Sequence, residues 1–195
     1  MKAAVFHGPG DVRFEEVATP TLNDGEVLIR VHACGICGSD LHTYRHGLFP
    51  GLGLQAETGR ILGHEFSGEI VETKGDVQTV KVGDRVTTVG MGGNAEYFRV
   101  AAQMVPSISR IPDHVSFEEA ATTEPLATSL HAVNLAAPTD EQTLVVMGAG
   151  IIGLGVVQGI KALCSARTIV VDMSDRRLEM ATQLGAELTF NAGRE

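Results

Sequence analysis

The sequence lacks the features of several protein classes, and each absence excludes one of them. None of its 195 residues belongs to an apolar run long enough to span a membrane. The N-terminus has no apolar signal-peptide core, because Gly-Pro-Gly at residues 8–10 interrupts it. Lys and Arg number 15 against 24 Asp and Glu, without a basic cluster. We therefore expect neither a membrane nor a nucleic acid as partner.

Cysteine is scarce, with three residues in the chain, an odd number that does not indicate a disulfide framework. A reducing, cytoplasmic location is therefore expected. Cys34 and Cys37 both stand in HACGICGSDLH, residues 32–42, among other groups that bind metals or move protons. The next cysteine is Cys164, so a four-cysteine structural zinc site is excluded. Cys164 lies in an apolar helical segment and is expected to be a small buried residue.

The pattern of apolar residues changes along the chain and predicts two parts. In the first two thirds, short segments such as residues 25–33 alternate apolar and polar positions, which is typical of half-buried strands. Ser116 and Glu119 form a capping-box pattern that opens a helical stretch. From Thr143 onwards the order is strand, glycine turn, helix, strand, helix, strand. This order predicts half of a doubly wound nucleotide-binding sheet.

The glycine turn, GAGIIG at residues 148–153, is a G-x-G-x-x-G between a predicted strand and a predicted helix. Such a turn brings a pyrophosphate to the helix N-terminus. Asp172 ends the next strand. A carboxylate there accepts hydrogen bonds from the ribose hydroxyls and repels a 2′-phosphate, so we expect NAD rather than NADP. Arg176 and Arg177 argue against this preference for NAD, since a nearby arginine accommodates the 2′-phosphate of NADP. A ligand-free glycine turn is the alternative. The expected dinucleotide contacts are Gly148, Gly150, Ile151, Ile152, Gly153, Asp172 and Arg177.

Candidate partners for Cys37 in a metal site occur downstream. GHEF contains His64 and Glu65, and TEPLA contains Glu124. A thiolate, an imidazole and a carboxylate neutralise Zn²⁺ and leave one position open, the arrangement of catalytic zinc. Spacing alone does not establish this set, because a loop histidine or glutamate is more often solvated. A redox pair of Cys34 and Cys37 is another interpretation, although no thioredoxin-like pattern surrounds it.

Five motifs occur in the order seen in the zinc-containing medium-chain dehydrogenases, which the chain resembles over essentially its whole length. They are GICGSDLH, GHEFSG, GDRV, EPLA and GAGIIGLG. The sequence is most similar to the polyol and threonine dehydrogenase branch, where a glutamate in EPLA replaces a cysteine ligand. The resemblance implies an α/β protein with a β-rich N-terminal part. A GroES-like β-barrel catalytic domain would span residues 1–130, and the first half of a Rossmann domain would span residues 131–195.

The resemblance also implies a role for each residue near the metal. Cys37, His64 and Glu124 become the zinc ligands, and Glu65 matches a neighbouring glutamate that supports the site or serves as an alternative ligand. Asp40 resembles the residue that orients the zinc-bound histidine. Cys34 then becomes a packed strand residue.

Two further residues, Ser39 and His42, stand where the family passes the alcohol proton towards solvent. An exposed helical position explains His42 nearly as well. Many relatives carry a four-cysteine zinc lobe after GDRV, which this chain lacks, so one catalytic zinc and no structural zinc is expected. The sequence stops near the third Rossmann strand, and we expect the C-terminal half of that domain to be absent. That third strand is expected to be the edge that the missing strands would pair.

The implied function is a zinc-dependent, NAD-linked oxidoreductase that oxidises a secondary alcohol or polyol to a carbonyl compound by hydride transfer. The full-length form is expected to be a homo-oligomer. The alternative is a truncated fragment that binds zinc and nucleotide without turnover. A zinc hydrolase with Glu65 as base fits less well, because the second histidine of H-E-x-x-H is absent.

Overall fold

The computed structural model describes residues 1–49 and 53–194. The contacts between residues divide the chain into two compact units, Met1–Glu124 and Pro125–Glu195. The first is β-rich and the second alternates strands and helices, which confirms the predicted α/β class with a β-rich N-terminal part. Among the described residues, no helix has the length and apolar character needed to cross a membrane.

The first unit is built mainly from short strands. Its strands are β1 Lys2–Gly8, β2 Asp11–Glu16, β3 Val27–Gly35, β4 Leu48–Phe49, β5 Leu54–Gln55, β6 Arg60–Ile61, β7 Glu65–Thr73, β8 Arg85–Thr88, β9 Tyr97–Val100 and β10 Ser109–Arg110. Its helices are α1 Gly38–His46, a 3-10 helix Ala102–Ser107 and α2 Phe117–Ala121.

Antiparallel pairing organises these strands into sheets. The largest has the order β10-β8-β7-β3-β9, a second has the order β2-β1-β6, and β4 pairs with β5. In the long pairing of β3 with β7, Val27 lies opposite Thr73 and Gly35 lies opposite Glu65. The chain that follows β3 and the chain that precedes β7 therefore meet at one end of the sheet. The core cluster of this unit comprises Val27, Ile29, Phe66, Ile70, Val80, Val86, Val100 and Val105.

Helix α2 begins at the predicted capping box. The Ser116 hydroxyl accepts a hydrogen bond from the Glu119 backbone N–H at 3.1 Å, and the Glu119 carboxylate accepts one from the Ser116 N–H at 2.8 Å. Phe117, the first helical residue, stacks on the His32 ring with 4.1 Å between centroids, and the Arg85 guanidinium lies 4.6 Å from the Phe117 ring. These contacts fasten α2 to the sheet.

The second unit contains the predicted strand-helix alternation. The elements are α3 Thr123–Ala136, β11 Thr143–Met147, α4 Ile151–Leu163, β12 Arg167–Asp172, α5 Asp175–Gln183 and β13 Leu188–Asn191. The strands pair in parallel in the order β11-β12-β13, and α4 and α5 connect them. Helix α3 contains residue 130, the expected domain boundary, and also residues 124 and 125, between which the two units divide.

The parallel sheet corrects the expectation about its open edge. Both β11 and β13 are edges in the described residues. In the doubly wound order 3-2-1-4-5-6, the first strand pairs with the fourth and the third strand is the natural edge. The strand equivalent to the first is β11, so β11, and not β13, carries the edge that further strands of such a sheet would pair.

Candidate functional site

Three potential metal ligands come together at the end of the β3–β7 pairing. One donor atom each from Cys37, His64 and Glu65 lies within 4.8 Å of the other two. Cys37 directly precedes α1, His64 directly precedes β7, and Glu65 is the first residue of β7. The register that sets Gly35 opposite Glu65 therefore brings the two loops together. Sulfur, imidazole nitrogen and carboxylate oxygen are all donors that Zn²⁺ accepts.

The buried carboxylate of Asp40 holds these loops in place. One oxygen accepts a hydrogen bond from the Cys37 N–H at 3.0 Å, which caps the N-terminus of α1. The other oxygen accepts one from the Gly63 N–H at 3.2 Å. Asp40 is 6% exposed, so both bonds are shielded from water. A single side chain thus fixes the backbone beside Cys37 and the backbone beside His64.

One nitrogen of the His64 ring is buried beside the carboxylate of Asp40. Its Nδ1 atom is buried and has no hydrogen-bond partner among the described residues. The nearest carboxylate oxygen, on Asp40, is 3.8 Å away, which is too long for a hydrogen bond. A buried polar atom without a partner is costly and calls for an explanation. This nitrogen faces Asp40, and metal-binding histidines usually turn one nitrogen to a carboxylate and bind the ion with the other. The nearby set of thiolate, imidazole and carboxylate donors fits zinc.

Gly35 makes room for the Glu65 side chain. A Cβ added at Gly35 would lie 2.4 Å from the Glu65 carboxylate oxygen Oε2 and 3.2 Å from the Glu65 Cβ. Glu65 itself is buried, at 8% exposure. The absence of a side chain at residue 35 is therefore what lets the carboxylate take its position beside Cys37 and His64. Nothing in the local sequence pattern signals this role, because it depends on strand pairing across the sheet.

Cys34 behaves as a packed thiol. It packs against the core cluster of the first unit, and its Sγ donates to the Gly35 carbonyl at 3.4 Å. Burial, followed by the charge of Asp40, raises the pKa of Cys34 to about 11. The thiolate is the reactive form of cysteine, so a protonated Cys34 does not favour a redox pair with Cys37. Cys164 is half-buried at the end of α4, less buried than its apolar surroundings predict.

Glu124, Ser39 and His42 are the other residues near the metal that the resemblance implies. Glu124 is half-buried in the first turn of α3 and is not part of the three-residue group among the described residues. Ser39 and His42 lie three residues apart on α1, a spacing that puts them on one face. The Nδ1 atom of His42 is 3.0 Å from the Leu48 carbonyl oxygen.

Each glycine of the 148–153 turn meets a different requirement. Gly148 has a φ of +99°, a backbone conformation that residues with a side chain rarely adopt. A Cβ at Gly153 would lie 1.8 Å from the Gly148 carbonyl oxygen, so no side chain fits between helix and turn. A Cβ at Gly150 would meet no described atom within 4 Å, which leaves that backbone open to a ligand. Ile151 and Ile152 are exposed and are the first two residues of α4. No described side chain caps the N-terminus of this helix.

Asp172 ties the glycine turn to the end of β12. Its carboxylate accepts hydrogen bonds from the Ala149 N–H and the Ser174 N–H, each at 2.8 Å. These backbone donors, Ala149 first, hold the pKa of Asp172 below its usual value. An Arg177 nitrogen lies 3.9 Å from the same carboxylate, and both Arg176 and Arg177 are exposed. The bond to Ala149 is a structural role that the sequence did not reveal.

Comparison with known proteins gives a consistent result. Residues 23–113 match the alcohol dehydrogenase GroES-like domain. The erythritol/L-threitol dehydrogenase of Mycolicibacterium smegmatis is 38% identical, with 98% of this chain and 62% of that protein aligned. The (R,R)-butanediol dehydrogenase of Bacillus subtilis is 36% identical, covering 95% of this chain and 62% of that protein.

Solved structures agree with the sequence relatives. The crystal structure of galactitol-1-phosphate dehydrogenase from Escherichia coli aligns with a TM-score of 0.88 at 28% identity, covering 100% of this chain and 62% of the other. The chain thus spans about 62% of the length of these relatives. Residues 23–113 therefore belong to the alcohol dehydrogenase GroES-like domain family, and the chain is similar over nearly its whole length to polyol and butanediol dehydrogenases.

Proposed function

We propose that the protein is a zinc-dependent, NAD-linked oxidoreductase that converts a secondary alcohol or polyol to the corresponding carbonyl compound. The observation that carries the proposal is the group of Cys37, His64 and Glu65, whose donor atoms lie within 4.8 Å of one another. Relatives of the chain are named as polyol and butanediol dehydrogenases, which supports an alcohol substrate. The full-length protein would be a cytoplasmic homo-oligomer with a small-molecule substrate.

One zinc ion would be held by Cys37, His64 and a glutamate. The resemblance favours Glu124 as that glutamate, whereas the described side chains bring Glu65 to the other two donors. Either set carries two negative charges and leaves one coordination position for the substrate. A bound zinc would act as a Lewis acid that makes the substrate hydroxyl more acidic. Asp40 would keep the two ligand loops at a fixed separation through its bonds to Cys37 and Gly63.

The alcohol proton would leave through α1. Ser39 stands two residues after Cys37 and His42 one turn further along the same face. Because the Leu48 carbonyl can only accept, the bond to it places the His42 proton on Nδ1 and leaves Nε2 free to take up a proton. The hydroxyl of Ser39 would pass the proton and His42 would deliver it to solvent.

The 148–153 turn and Asp172 would bind NAD, which supplies the hydride acceptor. The N–H groups in the first turn of α4 and the open backbone at Gly150 would face the pyrophosphate. The ionised Asp172 retains lone pairs for ribose hydroxyls after its bonds to Ala149 and Ser174. Its charge would disfavour a 2′-phosphate, so NAD is preferred to NADP.

A second candidate function is a zinc- and nucleotide-binding fragment without turnover. The observation that favours it is the length, because the chain spans about 62% of the relatives it matches. Measurements of binding and of turnover distinguish the two candidate functions. Both predict that the protein binds zinc, and only the first predicts that it forms NADH.

The experiment measures NADH formation from a panel of polyols and secondary alcohols, with the 195-residue chain and with the longest natural form in parallel. We expect turnover by the long form, lost in its Cys37→Ser variant. Metal analysis of Glu65→Gln and Glu124→Gln identifies the third ligand as the one whose loss releases zinc. Absence of zinc from the wild-type protein, or full zinc occupancy in Cys37→Ser, would overturn the proposed site.

A further inference from the structure

Helix α1 carries two further potential metal ligands at its C-terminal end. His42 and His46 are four residues apart, the spacing that places two side chains above one another on a helix. Their ring centroids are 4.7 Å apart, with 54° between the ring planes. His46 is exposed and His42 is half-buried, so solvent reaches the pair. Neither residue belongs to the group formed by Cys37, His64 and Glu65.

The hydrogen bond of His42 prepares the ring for a metal. Its Nδ1 donates to the Leu48 carbonyl oxygen at 3.0 Å, so the neutral ring keeps its lone pair on Nε2. Metal-binding histidines usually donate their other ring N–H to a carbonyl or carboxylate in this way. The acceptor is itself fixed, because the Thr43 hydroxyl also donates to the Leu48 oxygen at 3.2 Å.

The separation of the rings matches that of two imidazoles on one ion. Metal–nitrogen bonds of about 2.1 Å, at angles between cis-octahedral and tetrahedral, put the ring centres roughly 4.6–5.3 Å apart. The observed 4.7 Å lies in that interval. The C-terminus of α1, which is capped by Gly47, is the negative end of the helix dipole and favours a cation.

We propose that His42 and His46 form a second, solvent-facing site for a divalent transition-metal ion such as Ni²⁺, Cu²⁺ or Zn²⁺. Two neutral imidazoles would hold the ion and water would fill its other positions. With two ligands and no thiolate, this site binds more weakly and more reversibly than the candidate zinc centre. Nickel and copper are expected to bind better here than the earlier first-row divalent ions.

Occupation of this site would have a regulatory consequence, which rests on the proposed function. The ion would take the Nε2 lone pair of His42, the same pair that the proposed proton path uses. Excess divalent metal would therefore slow alcohol oxidation without displacing the catalytic ion. The His46→Ala variant would lose this inhibition, because His46 holds the ion but takes no part in the proton path.

The test titrates zinc-loaded protein with Ni²⁺ at neutral pH and follows binding by calorimetry. We expect one Ni²⁺ ion per chain. Both His46→Ala and His46→Gln should weaken the affinity by at least about tenfold, the low end of the cost of losing even a hydrogen-bond partner of a ligand. The matched control is His131→Ala, which removes an exposed histidine from α3 and should bind Ni²⁺ as the wild type does.

A second variant separates this site from the proposed enzyme site. Cys37→Ser should lose zinc and keep the Ni²⁺ ion, whatever the outcome of the turnover assays. Equal Ni²⁺ affinity in wild type and His46→Ala would overturn the proposal. Loss of the Ni²⁺ ion in His131→Ala or in Cys37→Ser would overturn it as well, since the ion would then bind elsewhere.

Discussion

Replacing Gly35 by alanine tests whether Glu65 belongs to the metal centre without altering any ligand. The new Cβ would lie 2.4 Å from Glu65 Oε2. Normal contact between such atoms is about 3.5 Å, so the carboxylate has to retreat by roughly 1 Å. Metal sites tolerate deviations of only about 0.2 Å in ligand distance. The carboxylate would therefore no longer reach a metal ion bound by Cys37 and His64.

The expected cost follows from the loss of one participant in the site. Removing a group that binds or supports a metal ligand typically costs about 10–100-fold in affinity, or roughly 1.4–2.8 kcal/mol. The zinc affinity of Gly35→Ala should fall by that factor, measured by competition with a chromophoric chelator. The φ of Gly35 is not in the left-handed region, so the effect is steric.

Two controls make the result specific. Gly38→Ala lies in the same segment, and its Cβ would meet no described atom within 4 Å, so its zinc affinity should equal that of the wild type. In a Glu65→Ala background, Gly35→Ala should have no further effect, because both changes act through one carboxylate. Equal zinc affinity in Gly35→Ala and Gly38→Ala would refute the placement of Glu65 at the metal.

Three further predictions follow from the same geometry. Asp40→Asn keeps the shape but weakens the acceptors for the Cys37 and Gly63 N–H groups; we expect a loss of about 1.5–3 kcal/mol in unfolding free energy, seen in denaturant titration. A wild-type midpoint in that variant would contradict the role of Asp40. Gly150→Ala should leave thermal unfolding unchanged yet weaken NADH binding, whereas Gly153→Ala should destabilise the second unit, because only the latter Cβ meets backbone. Fluorescence titration measures NADH binding and calorimetry measures thermal unfolding of each variant. The same effect of both substitutions would argue against distinct roles of Gly150 and Gly153. In a catalytically active form of the protein, Asp172→Ser should lower the ratio of kcat/KM for NAD to kcat/KM for NADP. A wild-type enzyme that already prefers NADP would contradict the role of Asp172 in selecting NAD.

Local signals in the sequence predicted much of the fold. The capping box at Ser116 and the glycine turn at 148–153 depend on neighbouring residues, and both are present in the structure. The strand-helix alternation after Thr143 is likewise a local property, and it is confirmed. The domain boundary has no comparable local signal, because α3 runs through residue 130 without a break, and it stays a prediction.

The candidate site depends on long-range pairing that local patterns do not encode. No spacing rule indicates that β3 and β7 pair so that Gly35 faces Glu65. The sequence therefore offered Glu124, with Glu65 as the alternative, as the carboxylate that joins Cys37 and His64. It could not indicate that the described side chains group Glu65 with them. The choice of third ligand stays a prediction for the metal analysis.

The two hydrogen bonds of Asp40 have a consequence for the order of assembly. They join Cys37 and Gly63, which are far apart in sequence, through a side chain that is not itself a proposed ligand. Folding of the first unit therefore closes the intervening loop and meets the entropy cost of doing so. We expect the binding energy of zinc to go into affinity and not into building the domain. In this respect the first unit is the opposite of a zinc finger, whose fold exists only while the metal is bound.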